Sequence, residues 1–316
     1  MGMAPLCVCQ HLHLSYDGLR DAVDDVSFQI EPGSVFALVG PNGAGKTSTL
    51  RMLATLQPPT SGRLYIDGID VVADPEGVRR KVGYLPDNFA LYDHQTPVEY
   101  LEFFARLHGV SAALRRKRID QLLEEFDLGE KRSSAIRMLS RGMRQRLGVA
   151  KTLIHDPKLV LLDEPASALD PGARLKLKEA LLALKRRGLG VLISSHILPD
   201  LADLADAVGI MEGGRMVRTG SIAEVATTAR GGQVVYALEV ENVDKARRVF
   251  ADFGPRLGHV EEDGPGRLLV TLSGGDETVA DLVDALALRG ARIRHVAPRE
   301  SALEAVYRMS AATAVA

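Results

Sequence analysis

Cysteines, long apolar stretches and charge imbalance are all scarce in this sequence. Only two cysteines occur, Cys7 and Cys9, too few and too close for a disulfide framework, which fits a reducing cytosol. No apolar run approaches the roughly 18–20 residues needed to cross a bilayer. The N-terminus has no basic-then-apolar layout of a secretory signal. Lys and Arg total 39 against 41 Asp and Glu, for a formal net charge of −2. With no long basic run either, the chain does not read as a nucleic-acid binder. What it does have is room, since 316 residues with 46% hydrophobic content suffice for two domains with sizeable cores. The expectation is a soluble cytoplasmic chain, for which any membrane role must come through a partner.

Cys7, Cys9, His11 and His13 alternate, so a straight strand would point all four to one face. Alternate residues lie about 6.6–7 Å apart, and the ends of this set about 20 Å. Zinc needs its ligands within about 2.0–2.3 Å of one point. The pattern therefore predicts small buried thiols and surface histidines, not a metal centre.

The informative segment is Gly40-Pro41-Asn42-Gly43-Ala44-Gly45-Lys46-Thr47-Ser48, which follows the apolar run Val35 to Val39. It reads as a buried strand, a glycine-rich turn and a helix opening on lysine and threonine, the context that a phosphate-binding loop requires. Glycines at 40, 43 and 45 let backbone N–H groups curl round phosphate oxygens. The helix adds its positive N-terminal end. Lys46 is placed to reach the β- and γ-phosphates, and the Thr47 hydroxyl is a hard ligand for Mg²⁺. The chain is expected to bind a nucleoside triphosphate.

Strands are predicted at 6–14 and 26–30 around the turn Tyr16-Asp17-Gly18, then at 63–68 and 82–85. Residues 97–155 look mostly helical, with apolar periodicity in Tyr100, Leu101, Phe104 and Leu107 and in Ile119, Leu122, Leu123 and Phe126. Leu159–Leu162 and Val191–Ser194 read as parallel core strands separated by a helix over 172–187. A boundary near Ala229 to Gly232 divides residues 1–229 from 230–316, with 87–155 a helical subdomain of the first part. Beyond it the order is strand (234–240), helix (243–252), strands (257–262, 267–272), helix (276–289) and strand (291–297), with a last helix over 301–309. The β-α-β-β-α-β order predicts a small α+β ferredoxin-like unit. A dimerisation or packing module is the favoured reading of it, with small-molecule sensing as the alternative.

The apolar strand Leu159 to Leu162 ends in Asp163 and Glu164. Asp163 can hold Mg²⁺ directly or through water, and Glu164 can polarise an attacking water. The strand is expected to lie beside the phosphate-loop strand, which would bring Asp163 near a metal on Thr47. His196 follows strand 191–194, where an imidazole would reach the γ-phosphate or that water.

With these residues in place, the sequence resembles the nucleotide-binding subunit of an ATP-binding cassette (ABC) transporter over residues 6 to about 225. Leu139-Ser140-Arg141-Gly142-Met143 stands where that family has its Leu-Ser-Gly-Gly-Gln signature. Ser167-Ala168-Leu169-Asp170 resembles its D-loop, and Ser195-His196-Ile197-Leu198 its switch histidine. Tyr16 falls where the family stacks a ring on adenine. The interval from Lys46 to Asp163 is too short for the coiled-coil insertion of chromosome-maintenance relatives. The resemblance implies an α/β core, a mixed sheet flanked by helices with antiparallel and helical subdomains, that hydrolyses Mg·ATP. It also implies that ATP is sandwiched in a head-to-tail pair, with Ser140 and Gly142 meeting the partner's nucleotide and Asp170 coupling closure to hydrolysis. The signature segment, Ile154-His155-Asp156-Pro157 and the compact C-terminal appendage resemble ATPases of the ABC-2 exporter type. Those serve a separate integral membrane subunit, here contacted by the region 87–140, and the working pair would be two copies or a related second chain. An importer ATPase with a sensing C-terminal domain and a degenerate regulatory cassette are the alternatives.

Two positions depart from the family pattern. Where a glutamine normally follows Tyr-Leu-Pro, Tyr84-Leu85-Pro86 is followed by Asp87. Asp87 either offers oxygen to Mg²⁺, at the cost of a negative charge beside the γ-phosphate, or turns away to cap the next helix. In the signature, Arg141 and Met143 replace Gly and Gln, and Arg141 is expected to point to solvent.

Overall fold

The computed structural model describes residues 4–167, 169–196, 201, 204–222, 224–225 and 233–299, which divide into two units, Met1–Gly220 and Ser221–Ala316. Ala168, Ile197, Leu198, the expected boundary at 229–232 and the expected helix over 301–309 lie outside the described residues.

In the first unit, β1 (Cys7–Ser15) and β2 (Asp21–Ile30) form an antiparallel hairpin. β3 (Val35–Val39) leads into the phosphate loop and α1 (Lys46–Leu53). β4 (Ser61–Ile66) and β5 (Ile69–Asp70) complete a four-stranded sheet of order β2-β1-β4-β5. The expected one-sided alternation in β1 is broken. The pairing with β2 shifts register between Cys9 and Leu12, and His11 takes a φ of 49°. This bulge puts Leu12 and Leu14 in the core with Cys7 and Cys9, and leaves His11 exposed and His13 half-buried. Hydrophobic burial of two leucines decides the register, and it separates the thiols from the imidazoles.

After α2 (Pro75–Arg79) comes β6 (Val82–Leu85), followed by three helices, α3 (Pro97–Leu107), α4 (Ala112–Glu125) and α5 (Arg141–Thr152). Thr96 and Glu99 close a reciprocal capping box on α3. Tyr100, Leu101, Ile119, Leu122, Leu123 and Phe126 are buried as the periodicity predicts, but Leu107 is 69% exposed. β7 (Leu159–Asp163), α6 (Pro171–Arg186) and β8 (Gly190–Ser195) follow, then β9 (Ala207–Glu212) and β10 (Arg215–Ser221). The second sheet runs β10-β9-β3-β8-β7-β6, and β9 through β6 pair in parallel. Every residue of β3, β7 and β8 is buried, as for strands covered on both faces. The aspartate strand is therefore not beside the phosphate-loop strand. β8 lies between them, with Ser194 opposite Asp163 and Ser195 opposite Val39.

α5 packs close against β6 and the segment that follows it. A Cβ on Gly83 would come within 2.2 Å of the Thr152 carbonyl oxygen, and one on Gly148 within 2.6 Å of the Phe89 ring. Small residues on both sides are what hold residues 85–89 against the helix.

The second unit contains β11 (Gln233–Val240), α7 (Val243–Asp252), β12 (Leu257–Glu262), β13 (Arg267–Ser273), α8 (Gly275–Leu288) and β14 (Ile293–Pro298). The strands form one antiparallel sheet of order β12-β13-β11-β14. Its core joins alternate strand residues, Tyr236, Leu238, Val240, Leu268, Val270 and Leu272, to Val249 and Phe250 of α7 and Leu282 and Leu286 of α8. This is an independent α+β core.

Candidate functional site

The phosphate loop is fixed by three glycines with different constraints. Gly45 is the N-cap of α1 at φ 99°, and a Cβ there would lie 2.4 Å from the Ala22 carbonyl oxygen. Gly40 has an ordinary φ, but a Cβ would lie 2.2 Å from the Met211 carbonyl oxygen. Gly43, at φ 81°, needs glycine for its backbone alone. The loop is thus wedged between β2 and the β9–β10 turn, so its N–H groups are held in place before any ligand arrives.

Asn42, Gly43, Ala44, Gly45, Lys46, Thr47 and Ser48 line a cavity of about 370 Å³, with Asp87 and Glu164 contributing from other segments. Lys46 is only 6% exposed; its Nζ donates to the carbonyl oxygens of Gly40 (2.6 Å) and Pro41 (3.2 Å) and lies 3.4 Å from Glu164 Oε1. Pro41 itself is exposed at the loop's outer edge. Tyr16 is 55% exposed, and its hydroxyl is 3.1 Å from Ser48 Oγ, which sets the ring beside the first turn of α1.

Glu164 is placed by contacts from β8. Ser194 Oγ donates to Asp163 Oδ1 at 2.6 Å and accepts from the Glu164 N–H at 2.9 Å. Glu164 adopts φ 48°, a left-handed conformation costing about 1–2 kcal/mol for a non-glycine residue. That turn swings its carboxylate off the strand axis towards the loop. His196 Nδ1 lies 2.8 Å from Glu164 Oε2, and since a carboxylate only accepts, Nδ1 carries the hydrogen. One carboxylate thus joins Lys46 to His196.

Among the described residues, Asp163 Oδ2 and Glu164 Oε1 are buried without a hydrogen-bond partner, and Asp163 is 1% exposed. An orphaned buried carboxylate oxygen calls for a cation, and the hard oxygens of Asp163 and Thr47 suit Mg²⁺. Asp87 lines the cavity and does not cap a helix; Thr96 caps α3. Burial, then the Asp163 and Glu164 carboxylates, push the Asp87 carboxyl above its ordinary value, while Arg141 and His196 pull the other way. Tyr84 is pushed up to about 12, first by burial and then by the Asp163 charge.

Ser140, Gly142 and Asp170 are brought together elsewhere and do not line the cavity. Ser140 caps α5, accepting from the Met143 N–H at 3.2 Å, and Asp170 caps α6, accepting from the Ala173 N–H at 2.9 Å. A Cβ on Gly142 would come within 2.7 Å of Ala173 Cβ, so the two helix starts pack on each other. Arg141 is exposed, as expected. Sequence reasoning missed Ser194, the hinge between both acids. Its signal was a hydroxyl at the end of an apolar strand, which only strand order connects to Asp163.

The family profile described as ABC transporter matches residues 23–167. Over 292 residues the chain is 34% identical to the daunorubicin resistance ATP-binding protein DrrA3 of Streptomyces coeruleorubidus, covering 92% of this chain and 91% of that protein. It is 37% identical over 235 residues to the Nod factor export ATP-binding protein I of Ralstonia nicotianae, covering 74% and 73%. A solved structure of an ATP-binding subunit of an ABC transporter superposes with a TM-score of 0.64 at 32% identity, covering 71% of this chain and 92% of that one.

Proposed function

The chain belongs to the ATP-binding subunits of ABC transporters, and from that membership we propose that the cavity between the phosphate loop, Asp87 and Glu164 is its Mg·ATP site. Proteins of this family hydrolyse ATP to drive transport, and this chain is such an ATPase, of the exporter kind. The observation carrying the site assignment is Glu164, held at once by Ser194, His196 and Lys46 at the cavity.

Each residue then takes a part. Tyr16 stacks on adenine, and the 40–48 loop N–H groups with Lys46 bind the phosphates. Thr47 and Asp163, with Asp87 beside them, would hold Mg²⁺. When bound, Mg²⁺ supplies positive charge against the phosphate oxygens. Glu164 accepts a hydrogen bond from the attacking water and aims it in line. His196 holds Oε2, while Oε1, 3.4 Å from Lys46 Nζ and without a hydrogen bond, is the oxygen turned to that water, so the contribution of His196 is orientation. Catalysis is positioning plus charge stabilisation.

ABC ATPases dimerise and pair with a membrane permease. Ser140, Gly142 and Asp170 stand at two abutting helix starts outside the chain's own cavity, which supports their acting on a partner's nucleotide across a head-to-tail homodimer. The integral membrane subunit is expected to dock on the region 87–140. There Tyr92 (45% exposed) and Phe103 (44%) pack edge-on and Leu107 stands in solvent, an apolar patch awaiting cover. Among the described residues no helix is long and apolar enough to cross a membrane, so attachment to its cytoplasmic face would run through that partner. Within the second unit, the residues from about 230 onward read as a ferredoxin-like module, supported by their β-α-β-β-α-β sequence and the strand order β14-β11-β13-β12. Its role is packing or pairing.

The test is Glu164→Gln, which keeps the shape and removes the charge. ATP affinity should persist, phosphate release should fall by at least about 100-fold, and the ATP-bound dimer should accumulate on gel filtration. Unchanged turnover would remove Glu164 from this role.

A further inference from the structure

The bulge at His11 takes His13 away from the thiols and sets it against β2, with its Nδ1 3.3 Å from Asp24 Oδ1. Asp21, at the start of β2, brings a third ligand atom. One atom from each of the three side chains lies within 4.8 Å of the other two. Ligand atoms about 2.0–2.1 Å from a tetrahedral Zn²⁺ stand about 3.3–3.4 Å apart, so His13 and Asp24 already hold that spacing. Asp21 is exposed and enters no ion pair among the described residues, so a side-chain rotation closes the set. Asp24 is fixed from the other side. Arg215 Nε and Nη2 lie 2.7 and 2.6 Å from its Oδ2, and its N–H donates to the Gly214 carbonyl oxygen at 2.8 Å. The guanidinium thus leaves Oδ1 facing His13, as outer hydrogen bonds orient metal-binding carboxylates. His13, Asp24 and Arg215 line a cavity of about 550 Å³ that shares no lining residue with the one at the phosphate loop.

We propose that His13, Asp21 and Asp24 form a Zn²⁺ site, with water as fourth ligand, at the base of the loop that carries Tyr16. An imidazole nitrogen beside two carboxylates suits zinc, whereas Mg²⁺ and Ca²⁺ prefer oxygen ligands alone. Arg215 balances one of the two carboxylates, so the cation answers a charge that is still open. Residues 14–20 join His13 to Asp21, and the metal closes that loop across its two ends. The loop's own bonds are made by exposed groups. Ser15 Oγ donates to the Arg20 carbonyl oxygen at 2.8 Å, and Asp17 Oδ1 accepts from the Leu19 and Arg20 N–H groups. Ala22, next to Asp21, lines the phosphate-loop cavity, and its carbonyl oxygen abuts Gly45. The zinc site therefore borders the Mg·ATP cavity without sharing a ligand with it, and loss of one leaves the other standing.

Full-length, nucleotide-free protein, stripped with chelator, is titrated with Zn²⁺ against a chromophoric indicator and, separately, with Co²⁺ as a spectroscopic probe. One Zn²⁺ per chain should bind, and a large excess of Mg²⁺ should not displace it. Co²⁺ should give the visible bands of a four-coordinate site without a thiolate charge-transfer band, since Cys7 and Cys9 are buried away from His13. His13→Ala should weaken Zn²⁺ binding about tenfold or more. Asp21→Asn, at an exposed position that spares the fold, should do the same. His11→Ala, which removes the ring paired with Asp25 at 2.7 Å, should leave binding unchanged. Hydrogen–deuterium exchange of the 15–20 amides should slow on adding Zn²⁺ to the wild type but not to His13→Ala. Absence of stoichiometric binding, wild-type affinity in either ligand variant, or loss through His11→Ala would each overturn the proposal. So would displacement by Mg²⁺, a thiolate band, or exchange over 15–20 that Zn²⁺ does not slow.

Discussion

Glu164 sits in a backbone conformation that glutamate does not favour, and Ser194 is what holds it there. The same hydroxyl donates to Asp163, so a single Oγ sets the position of both acids. Ser194 is fully buried, and removing its oxygen would leave the Glu164 N–H and Asp163 Oδ1 without that partner, a loss of about 1–3 kcal/mol. Ser194→Ala is therefore expected to lower kcat about tenfold or more, with a much smaller change in ATP affinity, since the loop and Lys46 are untouched. Steady-state kinetics beside a nucleotide titration checks this. A change confined to KM would show that Ser194 serves only binding. The glycines differ in kind. Gly43 is needed for a left-handed φ and Gly40 for the approach of the Met211 carbonyl, so the motif encodes both a backbone shape and a neighbour.

The helix α5 carries the other delicate contacts. Arg146, 6% exposed, donates to the carbonyls of Phe126 (2.5 Å) and Asp127 (3.2 Å), satisfying the backbone just past the end of α4. Shortly beyond α5, His155 Nε2 lies 3.0 Å from the Val82 carbonyl oxygen and so must donate, which leaves Nδ1 without a hydrogen. Its ring stacks on His108 at 4.0 Å and 7°, tying the end of α3 to β6. Burial first, then the neighbouring His108, pulls His155 down to about 4. The unfolded chain returns it to about 6.5, so between these values the unfolded state binds more protons. This contribution is complete above about pH 6.5 and is lost as pH falls towards 4, by at most about 3 kcal/mol. Urea midpoints for wild type should fall across that window, and His155→Gln, which can keep a donor to Val82, should flatten the slope. Identical slopes would mean that other groups carry the acid sensitivity.

Taken whole, the chain presents two groups of proposed site residues that do not line one cavity within it. The loop, Lys46 and Glu164 surround one cavity, while Ser140, Gly142 and Asp170 sit at the starts of α5 and α6. If the two groups meet across a dimer, a Lys46→Ala chain and a Ser140→Arg chain should each be inactive alone. Mixed, they should recover a fraction of wild-type turnover, because one of the two composite sites in each heterodimer is then intact. Failure of every mixing ratio to recover phosphate release would place Ser140 in the same chain's site or outside catalysis.

Much of this was legible in the residues. The glycine spacing from Gly40 to Lys46, the apolar run into Asp163 and Glu164, and the strand–helix–strand alternation follow from local chemistry, because steric freedom, burial and 3.6- or 2-residue periodicity act within a few positions. The element order of the second unit was readable for the same reason. Long-range pairing fixed the rest. The bulge at His11 put the thiols and imidazoles on different faces, since burying Leu12 and Leu14 outweighs unbroken alternation. Strand order inserted β8 between the strand that leads into the phosphate loop and the one that ends in Asp163, and so made Ser194 the support of both acids. Asp87 was balanced between capping a helix and facing phosphate, and packing of α5 on β6 and Phe89 set its segment at the cavity. Chemistry that needs only neighbours along the chain is written in the chain. Chemistry that depends on which strand lies beside which waits for the fold, because hydrogen-bond registry and core volume are properties of the assembled whole.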